Sequence, residues 1–433
     1  MHKLNLSDTR HLVSRTSLGQ EWTDIKALEG KSRAEAVSIL LHPKKAHTPR
    51  LPSLAQWSKL DHLRSKNGTS KHNALMRMNA DNQRMKEWML KHLLTTKTPV
   101  NEHMTLFWHN HFTSSLKTVG HPRLIYKQNK FLRDNAMGNF ATMLRGIIKD
   151  PAMLVYLDSN ENVKGKANEN FARELLELFT LGKGHVYKEK DIRAAAIAFT
   201  GLGVDLQRGT FKFDASKHDN TPVTFLGTPN ITNGNQIIEV LLKQPRTAIY
   251  IAEKVWHEFV SDSYPDPRVT QRWAKVFRNS NYSIKALMTE VLNSDAFWDK
   301  RYRGNMIKSP VDLIIGTLRS LPFPQKQNYT KLANTFRLLG QEPLDPPTVK
   351  GWAGGKNWID TQTLLIRTSF LNQITGYNKS TQTYLERKLP AKTKGMDIVN
   401  WLSPITPVLP LPRTAGKLRL VRALVLDPTY QLK

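Results

Sequence analysis

Apolar residues recur at three- and four-residue spacings along most of the chain. In MKEWMLKHLLT (85–95), Trp88, Leu90, Leu93 and Leu94 fall near one stripe, while Lys86 and Lys91 lie off it. That spacing is the mark of an amphipathic helix. The same pattern predicts helices over 102–112, 139–149, 168–181, 189–200, 234–243, 246–260, 283–293, 308–321, 330–339 and 361–372. Pro99 suits a first helical turn, and Gly182 and Gly201 stand where a terminating glycine belongs. Two stretches alternate instead, TFKF (210–213) and TFL (224–226). They predict one small β-hairpin inserted between helices, with His218 and Asp219 in its loop. The expected fold is mainly α: a large multi-helix domain over 1–388 with an inserted β-hairpin. Its parts are a basic N-terminal region (44–133) and a central motif region (150–228). Pro404, Pro407, Pro410 and Pro412, followed by basic residues, predict an extended, proline-containing basic arm over 389–433.

The central segment NENFARELLELFTLG (168–182) combines apolar and polar positions in one helix. With about 100° between successive residues, Asn170, Arg173, Glu174 and Glu177 share a face about 100° wide. Phe171, Ala172, Leu175, Leu176, Leu178 and Phe179 cover the remainder. Such a helix is expected to be buried on most sides, with its polar face turned to a cleft or to buried partners. Glu174 and Glu177 have the chemistry of an acid/base pair or of metal ligands. Arg173 offers a planar fork for an anionic group, and Asn170 adds a polar contact. The other reading of the same residues is an internal salt-bridge network to the neighbouring helix, which carries Arg193.

Charge changes this picture. The formal net charge is +28, from 64 Lys and Arg against 36 Asp and Glu. The excess is uneven. Residues 44–133 hold 17 basic and 4 acidic side chains, whereas 150–191 hold 6 basic and 8 acidic ones. The field favours polyanions such as nucleic acid, acidic glycans or anionic lipid. No cysteine is present, which excludes disulfides, thiolate metal sites and cysteine nucleophiles. No apolar run approaches the roughly 20 residues of a membrane-spanning helix, and the opening residues carry no evident export signal.

A metal site must therefore use His and carboxylates. The candidates are His109 and His111 in FWHNHFT, together with His218 and Asp219. On a helix, His109 and His111 point about 200° apart, so a joint divalent-metal site requires the helix to end near His109. Glu102, seven residues earlier on the same face, would orient the His109 ring. The loop LGQEPLDPPTVKGWAGGKNW (339–358) offers Trp352 and Trp358 to stack on a sugar ring or a base. The same tryptophans would equally cap the core, with the glycines making turns. No glycine-rich phosphate loop, HExxH or nucleic-acid-binding signature is present.

The ordered motifs HLVSRTSLG, FWHNHFT, DPAMLVYLD, NENFARELLELFTLG, DIRAAAIAFTG, KHD and LGQEPLDPPTVKGW span about 11–371. Together they resemble the bacterial family called domain of unknown function 1800. The resemblance implies a predominantly helical protein of the cell envelope or periplasm, although the missing signal and high basicity also fit the cytoplasm. It further implies genes lying near those of sulfatase-like proteins, a candidate partner, and it carries no catalytic residues. The expected function is a hydrolase-like or ligand-binding protein acting on an anionic polymer such as a polysaccharide. Glu174, Glu177, His109 and His111 would be catalytic, and Asn170, Arg173, Trp352 and Trp358 would bind substrate. The alternative is a non-enzymatic polyanion-binding or assembly protein working through its basic surface.

Overall fold

The computed structural model describes residues 3–42, 48–54, 68–321, 327–376, 383, 386–387, 389, 392–412 and 416–433. Helices dominate, and local sequence explains where they start. Asn5 and Asp8 form a reciprocal capping box at Leu6–Thr16, and Asn233 with Gln236 does so at Gly234–Lys243. Proline occupies the first turn of Pro99–His111, Pro122–Asn135, Pro245–Phe259 and Pro267–Asn279. Its missing N–H has no intrahelical partner to lose there. Gly182 and Gly201 follow their helices with φ near +80°.

The alternating stretches do form strands, but they do not pair with each other. Thr210–Phe213 pairs antiparallel with Leu202–Asp205, and Val223–Phe225 pairs with Thr228–Ile231. Among the described residues there are thus two hairpins where one was expected. Each strand takes the nearer partner, because a short loop has the smaller closure entropy. Leu226 and Gly227, both at positive φ, supply the two-residue turn that the second hairpin requires.

The central motif starts as an α-helix at Asn170–Glu174 and widens to a π-helix over Leu175–Thr180. The Thr180 hydroxyl donates to the Leu175 carbonyl at 2.6 Å within that wider turn. One large hydrophobic cluster extends from Leu4 to Tyr430 and buries Phe171, Leu175, Leu176 and Phe179 of this motif. A second cluster gathers Met85, Leu90, Leu93, Ile314 and Phe336 around the Gly68–Thr95 helix.

The expected C-terminal arm is corrected. Gly395–Leu402 and Lys417–Leu426 are helices, and Ile398, Trp401, Val421, Leu424 and Val425 belong to the large core cluster. Trp401 donates to the Gln20 carbonyl at 2.6 Å and meets Trp22 edge-on. Apolar spacing within KLRLVRALVL decides the outcome, and the prolines serve only the connection between the two helices. Beyond them, residues 306–308 and 431–433 lie side by side: Lys308 N–H donates to Gln431 O, and Lys433 N–H to Met306 O. No helix among the described residues is long and apolar enough to cross a membrane.

Candidate functional site

The polar face of the central motif is partly exposed: Asn170 is exposed, and Arg173, Glu174 and Glu177 are intermediate. Arg173 donates to Glu169 at 2.9 Å and to both carboxylate oxygens of Glu189 at 2.9 Å, and lies 3.6 Å from Glu177. Arg193 reaches Glu169 at 3.8 Å, completing a link to the Glu189–Ala198 helix. Arg173 is thereby fully engaged with carboxylates of its own chain, which raise its pKa above the ordinary guanidinium value. Glu174 is half-buried, and burial together with Glu177 pushes its carboxyl upward.

The helix Pro99–His111 runs through both histidines, so their rings diverge. The buried His111 ring donates from Nε2 to the Phe179 carbonyl at 3.1 Å, tying this helix to the π-turn. Burial, reinforced by Lys254, lowers its pKa to about 3, so it is neutral near pH 7. His109 packs 5.6 Å from Trp352, with both ring nitrogens buried and without a hydrogen-bond partner among the described residues, and burial lowers it to about 4. His218 sits between the carbonyls of Thr200 (2.8 Å) and Thr232 (3.0 Å), and so joins the two hairpins to the preceding helix. Asp219 accepts from Thr221 N–H in a local turn. No group of three metal-capable side chains occurs among the described residues, so His109, His111, His218 and Asp219 do not meet. Glu102 does not orient His109. It accepts twice from Arg133 Nε, at 2.8 and 3.0 Å, and pairs with His92 at 3.0 Å, all buried. Burial opposes its charge, but His92 and Arg133 outweigh that and hold the carboxyl below its ordinary range.

A different set of side chains converges. The histidine helix presents His103, Phe107 and Asn110, four and three residues apart and therefore on one face. Facing them are His257 and Glu258 at the end of Pro245–Phe259, Asp262 just beyond it, and Trp352 and Trp358 of the glycine-rich loop. Together they border an open cleft with a cavity volume of about 110 Å³, smaller than the roughly 300–1,000 Å³ of sites that enclose a drug-sized ligand. His103 Nε2 lies 2.7 Å from Glu258 Oε1, and its other nitrogen faces the Ser17 carbonyl at 3.4 Å. Asp262 is exposed overall and has no hydrogen bond or ion pair with a described residue. Partial desolvation by the surrounding walls pushes its carboxyl upward, against the opposing effect of Lys433, His257 and Arg15. Asp312, at the cleft floor, accepts from Lys433 at 2.7 Å and from the Ser309 N–H and hydroxyl at 3.0 and 2.9 Å. Burial alone would raise it, but Lys433 leads the contacts that hold it down at about 2.

Two supports fix this geometry. Arg15, fully buried in Leu6–Thr16, donates to the Val260 carbonyl at 3.0 Å and to Asn305 Oδ1 at 3.2 Å. It thus pins the chain between Glu258 and Asp262. Asn110 Oδ1 accepts the Trp352 N–H at 2.7 Å. Gly351 has φ +83°, and a Cβ there would meet Asn110 Oδ1 at 2.1 Å, so only glycine lets the loop close on the helix. The central asparagine of FWHNHFT therefore seats the tryptophan loop. The sequence reading found both tryptophans but missed His103, Glu258 and Asp262. The available signal was the 103–107–110 stripe; no spacing in the sequence connects it to 258–262.

A family model described as Protein of unknown function (DUF1800) matches residues 11–432. No curated protein and no solved structure matches the chain.

Proposed function

The chain belongs to the DUF1800 family, whose description names no chemistry, and we propose that it acts as a hydrolase-like protein on a polysaccharide through the tryptophan-walled cleft. One observation carries this reading. The unpartnered carboxyl of Asp262 opens on the same cleft as the hydrogen-bonded His103–Glu258 pair. Glycosidic cleavage needs a proton donor to the leaving oxygen and a second group to activate water or to attack. Asp262, raised by partial desolvation, suits the first role. Glu258, held by His103, suits the second. Trp352 and Trp358 border the cleft but are each only 7% exposed, so they wall it and leave little open ring surface for a sugar. The +28 charge draws an anionic polymer toward the molecule, and a sulfatase-like partner would act on the same class of polymer. Glu174, Glu177, Arg173 and the two central histidines are not needed for this chemistry.

The test is release of reducing ends from a panel of sulfated, uronic and neutral polysaccharides. Asp262→Asn should lower the rate by about 10²-fold or more, the usual contribution of a general acid. Its melting curve should be unchanged, and Glu174→Gln should retain activity. Equal rates for the wild type and Asp262→Asn would end the catalytic reading.

The net charge also favours a second reading, a non-enzymatic polyanion-binding protein. In that case heparin binding would survive Asp262→Asn and disappear between low and moderate salt.

A further inference from the structure

Behind the cleft floor lies a second, much smaller chamber. Asp312 and Lys433 line both spaces, so their ion pair forms the partition between them. The chamber is walled by Lys308, Ser14, Ser320 and Tyr430, and has room for about one water-sized occupant. Lys308 is only 6% exposed. Its Nζ sits 3.6 Å from the centre of the Tyr430 ring and makes no hydrogen bond or ion pair with any described residue. The carboxylate acting on it most strongly, Asp312, is already bonded to Lys433 and Ser309, while Arg10, Lys433 and Arg367 act on it as like charges. Nearby, Arg367 has two buried nitrogens, Nε and Nη2, without partners. Ser320 accepts the Gln20 N–H at 2.8 Å, which leaves its own O–H to donate.

A buried ammonium among like charges has two ways to lower its free energy: it loses its proton, or it takes in a counter-ion. The chamber is too small for sulfate, phosphate or a carboxylate-bearing molecule. The geometry points to a buried site for a single monatomic anion of the halide class, held by Lys308 and Ser320. The site is independent of the cleft's proposed chemistry. Burial lowers Lys308 to about 7, against Asp312 and with Arg10, Lys433 and Arg367. Halide entry therefore brings a proton with it, and affinity rises as pH falls below about 7.

The test uses the intact protein. Crystals exchanged into sodium bromide should give an anomalous peak at Lys308 Nζ. In solution, chloride should raise the melting temperature saturably by about 2 °C over gluconate at equal ionic strength. The rise should be larger at pH 6 than at pH 8, absent in Lys308→Met and several-fold weaker in Ser320→Ala. Bromide found only on the surface, with identical melting in chloride and gluconate, overturns the proposal.

Discussion

Asp262 differs from the other acidic residues of this cleft in having no partner. Asp312 is bonded to Lys433 and Ser309, and Glu258 to His103. Asp262 and the His103-held Glu258 are the carboxylates the proposed chemistry uses, and Asp312 holds the floor. The contrast predicts a pH response. Asp312 is held at about 2 in the folded protein, below its unfolded value of about 3.9. Its contribution to stability is therefore complete above about pH 4 and is lost as pH falls toward 2. Acid titration of unfolding should show a shallower loss in Asp312→Asn than in the wild type over that window. Lys308 has the opposite dependence. Its folded value, about 7, lies below its unfolded value of about 10.4. The unfolded chain then binds more protons, and this residue's contribution to stability rises from about pH 7 to 10. Lys308→Met should flatten that slope in denaturant titrations. Glu102 shows what loss of a buried partner costs. Glu102→Ala leaves Arg133 buried without its carboxylate, and should lower stability by roughly 3–5 kcal/mol in a urea melt.

At the scale of elements, the histidine helix does two jobs with two faces. One face carries His103, Phe107 and Asn110 to the cleft, and the adjoining flank, one turn beyond Phe107, sends His111 to the π-turn. The Asn110 contact makes Gly351 a position of close approach. Gly351→Ala should cost at least about 1–2 kcal/mol from backbone conformation alone, and should weaken saccharide binding through displacement of Trp352, as tryptophan fluorescence would report. The C-terminal helix Lys417–Leu426 is equally bound to the body. Leu424 is fully buried, and Leu424→Ala should cost about 2–5 kcal/mol in the same urea melts. An unchanged midpoint would restore the view of this segment as an arm.

At the scale of the whole molecule, helical spacing and its end signals were legible, because both depend on neighbours within about one turn. The expected helices over 234–243 and 246–260 lie within a residue of Gly234–Lys243 and Pro245–Phe259. The grouping of Arg173 with Glu177 was legible for the same reason, whereas the bonds from Arg173 to Glu189 join residues 16 apart and were not. Strand partners were not, since alternation in TFKF marks a strand without saying what it pairs with. The cleft was legible only at its tryptophans. What the chain determined alone is its helical class, its family motifs, its absence of thiol chemistry and its large positive charge, each a local or additive property. Which carboxylates stay free is a different kind of fact. It depends on contacts between residues as distant as 15 and 260, 110 and 352, or 312 and 433, and burial and pairing at that range arise only when the chain is packed.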